Sequence, residues 1–130
     1  MRNAVAQIQT HDLSLRTIRT PLQDLALYLQ NALTQKLAAY MVGLSDGRDI
    51  GRYAREDRNP HPRQLAKLQA LFELLNSTFK TEDPRIVQAW FLGVNPELDG
   101  QAPAKLLRES FDQELSRVRA AAEKFMDAGE

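Results

Sequence analysis

Arg48, Arg52 and Arg55 are spaced i, i+4 and i+7, so on a helix they share one face, and Arg58 extends the patch. An arginine guanidinium is a planar fork of N–H donors that matches guanine edges and phosphate oxygens. Such a face can contact DNA. It can equally be a solvated helix face paired with Asp49 and Glu56, and the arginines by themselves leave both readings open. Other chemistry is poorly served. His11 and His61 are the only histidines, and they lie far apart; His61, between Pro60 and Pro62, reads as a loop residue. Glu73, Glu82 and Asp83 have no partner His or Cys that would suggest a metal site. There is no Gly-rich phosphate loop and no nucleophile elbow. The expectation is a protein without catalytic activity, cofactor or metal.

The arginine face needs a helix held at a fixed angle, and the residues before it suggest how. Gln35 to Ser45 reads as the first half of a helix-turn-helix. Ala38 or Ala39 is small enough for a helix crossing, Gly43 suits the turn, and Ile50 can lock the second helix. In most such motifs the apolar lock falls six residues after the glycine; here it falls seven after. Asp46 or Ser45 can cap the arginine helix, which carries Ile50, Tyr53 and Ala54 on its apolar side, opposite the arginines.

The wider pattern is almost entirely helical. Thr20-Pro21-Leu22-Gln23 is a helix start, with Thr20 as cap, Pro21 in the first turn and Gln23 closing a capping box. Leu22, Leu25, Leu29 and Leu33 follow at helical spacing, and a second helix is expected from Thr34 to Val42. Pro60 and Pro62 interrupt the chain. Leu65, Leu68, Leu71 or Phe72, Leu75 and Phe79 then form a long apolar stripe. Asp83-Pro84 opens a helix ending near Leu92-Gly93, Pro103 opens a short one, and Ser110-Phe111-Asp112-Gln113 is a capping box for the last. The one strand-like run, Leu13 to Ile18, is short and isolated; residues 1–19 read as an arm, a helix around Val5 and Ile8, or a tail.

A chain of 130 residues, 43% hydrophobic and 26% charged, suits one globular domain or one domain with a small appendage. No apolar run approaches a membrane span, the first residues lack a signal-peptide core, and cysteine is absent, so a cytoplasmic protein without disulfides is expected. Net charge is zero. Thr34 to Lys67 nevertheless carries a net +3, and Leu68 to Ala104 a net −3, so a polyanion can meet the first region and not the second.

Ala89 to Arg108 contains an ordered set of punctuated elements: Trp90 at a helix end, Asn95-Pro96, Leu98-x-Gly100, then Pro103-x-x-Leu106-Leu107. This order resembles the toxin-binding domain of the Xre/MbcA/ParS family of antitoxins, with Phe91 where the family usually has Leu. The resemblance extends over about residues 30–128. Upstream, Gly43 to Asp46 followed by Ile50 and Tyr53 is similar to the family's own helix-turn-helix spacing. A family glycine expected a few residues later is replaced by Glu56 and Asp57, which bears on the turn there and on DNA affinity. The resemblance implies an all-α fold in which a helix-turn-helix half packs with a C-terminal half, divided near Lys80: residues 20–80 Xre-like and 81–130 toxin-binding. It implies an antitoxin of a type II toxin–antitoxin pair that neutralises a toxin of the NAD-depleting RES class and represses its own operon as an isologous homodimer. The implied DNA residues are Arg48, Arg52, Arg55 and Arg58. The implied toxin residues are Trp90, Asn95, Pro96, Leu98, Gly100, Pro103 and Leu107, joined by Phe125 and Met126. A capped helix from Ser110 followed by a flexible end after Glu123 would make the last residues a plug for the toxin's active site. Without the resemblance, an aromatic pair such as Trp90-Phe91 is more often core, with one of the two buried, and Asn95-Pro96 is turn chemistry. Two rivals stand beside this reading: a stand-alone helix-turn-helix regulator, and an interaction module that has lost DNA binding.

Overall fold

Helix α1 (Leu22–Leu33) is the element against which most of the others assemble, and its sequence explains why. Leu25, Ala26, Leu29 and Leu33 recur at helical spacing and are fully buried. The structure, a computed structural model, describes residues 20–80 and 82–129; these contain six α-helices and no named strand. The readings of residues 1–19 lie outside the described residues. Around α1 lie α2 (Gln35–Met41), α3 (Arg48–Ala54), α4 (Pro62–Leu74) and α5 (Pro84–Leu92), while the long α6 (Pro103–Ala128) packs on α2 and α5. One hydrophobic core runs from Ala26 to Ala122 and takes side chains from both sides of Lys80. Among the described residues no helix is long and apolar enough to cross a membrane.

The helix starts differ in detail from the sequence reading. Pro21, not Thr20, stands at the N-cap of α1. Thr34 links α1 to α2: its N–H donates to the Gln30 carbonyl at 3.0 Å, and its Oγ1 accepts from the Leu37 N–H at 3.2 Å. Thr34 makes both bonds at φ +81°, ψ 156°, a region almost reserved for glycine, which costs about 1–3 kcal/mol. His61 is a cap rather than a plain loop residue, because its Nδ1 accepts from the Arg63 N–H at 3.1 Å just as Pro62 begins α4. Asp83 caps α5 in the same way, accepting from the Arg85 N–H at 2.8 Å.

The apolar stripe of α4 does not stay α-helical to its end. Leu75–Phe79 is a π-helical turn, closed by the Lys80 N–H donating to the Leu75 carbonyl at 2.9 Å. The Ser77 hydroxyl donates to the Glu73 carbonyl at 2.7 Å, as serine does where a helix departs from regularity. The wider turn lets Leu74, Leu75 and Phe79 all face the core. The short helix expected at Pro103 is present: α6, from Pro103 to Ala128, is two helices that meet at a kink at Ser110. Ser110, expected to open a new helix, is the one non-helical residue between the two, at φ −152°, ψ 65°, as a residue at a helix start is.

Candidate nucleic-acid and protein interfaces

α3 carries Arg48 and Arg52, with Arg55 at its C-cap and Arg58 just past the turn that follows. Ile50 and Ala54 are buried beneath it, while Arg48, Arg55 and Arg58 are exposed and Arg52 is half-buried. All four are held by carboxylates of their own neighbourhood. Arg48 chelates Asp46 through Nε and Nη2. Arg52 reaches Asp49 at 2.6 Å and Asp46 at 3.5 Å. Arg58 also reaches Asp49, at 3.3 Å, and Arg55 pairs with Asp57 at 3.1 Å. Asp49 was expected among the partners; Glu56 was too, but Asp46 and Asp57 take that role. Asp49 is the single buried charged residue among those described, 7% exposed, and it anchors two arginines at once. The guanidinium of Arg48 bonded to Asp46, with the Arg48 backbone N–H on the same carboxylate, lowers the Asp46 pKa to about 2. Burial, with the nearby Asp49 charge, pushes the Tyr53 phenol up.

The turns at either end of this region are built alike. After α2, the Gly43 N–H donates to Tyr40 O and the Leu44 N–H to Ala39 O, with Gly43 at φ +86°. After α3, the Glu56 N–H donates to Tyr53 O and the Asp57 N–H to Arg52 O at 2.8 Å, with Glu56 at φ +62°. Both are Schellman closures, which favour glycine at the left-handed position. The tight turn questioned from the sequence therefore forms, with a glutamate in the glycine's place.

In the C-terminal half the motif residues form a closed loop. The Asn95 side chain accepts from the Glu97 N–H at 2.9 Å, at the start of the 3-10 turn Pro96–Leu98. The Asn95 carbonyl accepts from Leu98 and Gly100, and the Asn95 N–H donates to Gln101. Asp99 (φ +58°) and Gly100 (φ +77°) reverse the chain. Two ion pairs fasten the loop to α6: Arg117–Asp99 at 2.6 Å and Lys124–Glu97 at 2.8 Å.

This geometry divides the expected toxin residues. Leu98 and Leu107 are fully buried, and Pro103 is buried too, so they shape the surface from below rather than touch a partner. Trp90 and Phe91 both belong to the core, where one of the two was expected, stacked edge-on at 5.0 Å. Pro96 and Gly100 are exposed and Asn95 half-buried. The flexible end after Glu123 is not observed: helix α6 continues through Ala128, and Gly129 follows at φ −74°. Phe125 rests its ring against Trp90 at 6.1 Å and Phe79 at 6.5 Å, and Met126 is half-buried on the core. The helix continues because these apolar contacts reach past Glu123.

Of the exposed residues above this base the sequence reading includes Phe125 but not Ile86 or Val94. Ile86, Val94 and Phe125 are exposed side by side, at 43%, 78% and 40%, around a depression of about 350 Å³. Ala89, Trp90, Gly93 and Asn95 complete its lining, and among the described residues no charged one enters it. No protein-family model, curated protein or solved structure matches the chain.

Proposed function

We propose that this chain is an antitoxin that neutralises a RES-type toxin through its C-terminal half and binds operator DNA through the arginine face of α3. The observation that carries the reading is the uncharged patch of Ile86, Val94 and Phe125 on a firm aromatic base. Exposed apolar side chains clustered over a rigid support suit burial by another protein. That patch adjoins the segment Ala89 to Arg108, whose resemblance to antitoxins supplies the identity of the partner. The base is held by Phe79, Trp90 and Phe91, with the loop at Asn95 pinned to α6, so the patch is preorganised.

The arginine face supports the second activity. α2 and α3 are joined through a glycine turn; α3 carries Arg48 and Arg52, Arg55 stands at its C-cap, and Arg58 follows the turn at Glu56. Co-expression with a RES-type toxin gene, with cellular NAD as the readout, tests the first activity. The wild type should preserve NAD. Val94→Asp should lose protection without a change in melting temperature, because Val94 has no burial to lose. A gel shift on the chain's own upstream DNA tests the second. Arg52→Ala should weaken binding by roughly 1–3 kcal/mol, and the triple alanine variant of Arg48, Arg52 and Arg55 should abolish it. DNA binding without toxin neutralisation would assign a stand-alone regulator. Neutralisation with no DNA binding would assign an interaction module.

A further inference from the structure

A second cavity, of about 770 Å³, lies between α2 and the start of α6 and differs in chemistry from the patch at Trp90. Its apolar lining includes Leu37, Tyr40 and Leu92. Three cations, Lys36, Lys105 and Arg108, line it as well, and among the described residues no aspartate or glutamate does. The cations are largely uncommitted. Among the described residues Lys36 has no ion-pair partner, and Lys105 meets Glu109 only at 3.9 Å, with both side chains exposed. Arg108 uses one nitrogen, Nη1, on the Tyr40 and Leu44 carbonyls, and its guanidinium lies 4.8 Å over the Tyr40 ring. Leu92 is 62% exposed at the cleft.

A size of several hundred Å³, a mainly apolar wall and a few convergent polar groups are the attributes of a small-molecule site. The wall contains Thr34, held in a backbone conformation that disfavours every residue but glycine. Such strain concentrates at ligand sites, where the surrounding structure maintains it. A neutral apolar ligand would leave three cations unanswered, and a bare oxyanion would leave the apolar wall wet. We infer that this cleft binds a small organic carboxylate with an apolar body, its charge met by Lys36, Lys105 and Arg108 and its chain by Leu37, Tyr40 and Leu92. The inference is independent of toxin or DNA binding.

The test is titration of the full chain with octanoate, 1-octanol and inorganic phosphate, followed by ¹H–¹⁵N NMR and calorimetry. Octanoate should bind saturably and move the amides of Thr34, Tyr40, Leu92 and Arg108. Octanol and phosphate should each bind at least about tenfold more weakly, the factor that one charge-assisted contact or a comparable apolar contact supplies. The double variant Lys36→Gln/Lys105→Gln changes two exposed side chains, and its NMR dispersion should show an intact fold while octanoate affinity falls about tenfold or more. Absence of saturable shifts would overturn the inference. So would octanol or phosphate binding as tightly as octanoate, or undiminished octanoate binding by the double variant.

Discussion

Replacing Glu56 with glycine should stabilise the protein. Glu56 occupies φ +62° at the Schellman closure of α3, held there by the Glu56 N–H to Tyr53 O and Asp57 N–H to Arg52 O bonds. A residue with a Cβ pays about 1–2 kcal/mol for the left-handed conformation. Glycine removes that cost but adds freedom to the unfolded chain, worth about 0.5–1 kcal/mol. Glu56 is exposed and forms no ion pair among the described residues, so no contact is lost. The net gain is about 0.5–1 kcal/mol, or a rise in melting temperature of about 2–5 °C for a domain of this size. Glu56→Ala is the control, since it removes the same charge and keeps the Cβ. Thermal unfolding by circular dichroism reads both variants. If alanine raises the melting temperature as much as glycine, charge removal is the cause and the backbone reasoning is refuted. If glycine lowers it, the left-handed turn itself is refuted.

Leu75, 1% exposed in the π-helical turn, should cost about 2–5 kcal/mol when changed to alanine, measured by urea unfolding. The pKa of Asp46 is lowered to about 2 by hydrogen bonding from Arg48, and that of Asp83 is lowered by Arg85. Because the folded pKa is the lower one in each, the stabilisation is present above the ordinary value of 3.8 and is lost as pH falls below it, for Asp46 toward about 2. The melting temperature should decline over that window, and in Arg48→Ala the NMR titration of the Asp46 carboxyl should move back toward 3.8. Deleting residues 124–130 removes the Phe125 packing and the Lys124–Glu97 pair, and should lower unfolding free energy by about 1–2 kcal/mol rather than leave it untouched. On the DNA reading, Asp57→Asn should tighten operator binding in a gel shift, because the exposed Asp57 only competes for Arg55. Asp49→Asn should weaken it, because the buried Asp49 holds Arg52 and Arg58 in place.

Period and punctuation made most of the fold legible. Leu25, Leu29 and Leu33, or Leu68, Leu71 and Phe79, sit at spacings that a helix must bury, and Pro62, Pro84 and Pro103 each open a helix. The misses arise where one local bond outweighs the pattern. The π turn at Leu75 depends on an extra half-step that no apolar spacing announces, since Leu74 and Leu75 both look acceptable to an α-helical stripe. Ser110-Phe111-Asp112-Gln113, by contrast, was legible as a helix start, because Ser110 leaves helical geometry between the short helix from Pro103 and the long one that follows. The end after Glu123 is helical rather than free because Trp90 and Phe79, far away in sequence, give Phe125 something to pack on.

The candidate sites were legible to different depths for a related reason. The arginine face follows from helical spacing; shared aspartates link Arg48, Arg52 and Arg58, while Arg55 pairs with Asp57. Their pairing does not follow from spacing, because Asp46 and Asp57 reach back from the flanking turns, beyond any i, i+4 rule. That pairing changes what the face can do. Four arginines answered by three aspartates make a surface of little net charge, so long-range attraction of a polyanion is weak and contact must be made at close range. Such a face binds DNA only if phosphates replace the exposed carboxylates of Asp46 and Asp57, while Asp49, buried under Arg52 and Arg58, stays where it is. The apolar patch posed the opposite difficulty. Its base, Trp90, lies in the motif and Phe125 was among the expected residues, but Ile86 and Val94 are ordinary hydrophobic residues in sequence, and only the tertiary packing leaves the three together in solvent. The buried motif positions Leu98, Pro103 and Leu107 fix the loop and helix that carry the patch, so their substitution would act on a partner through shape rather than through contact.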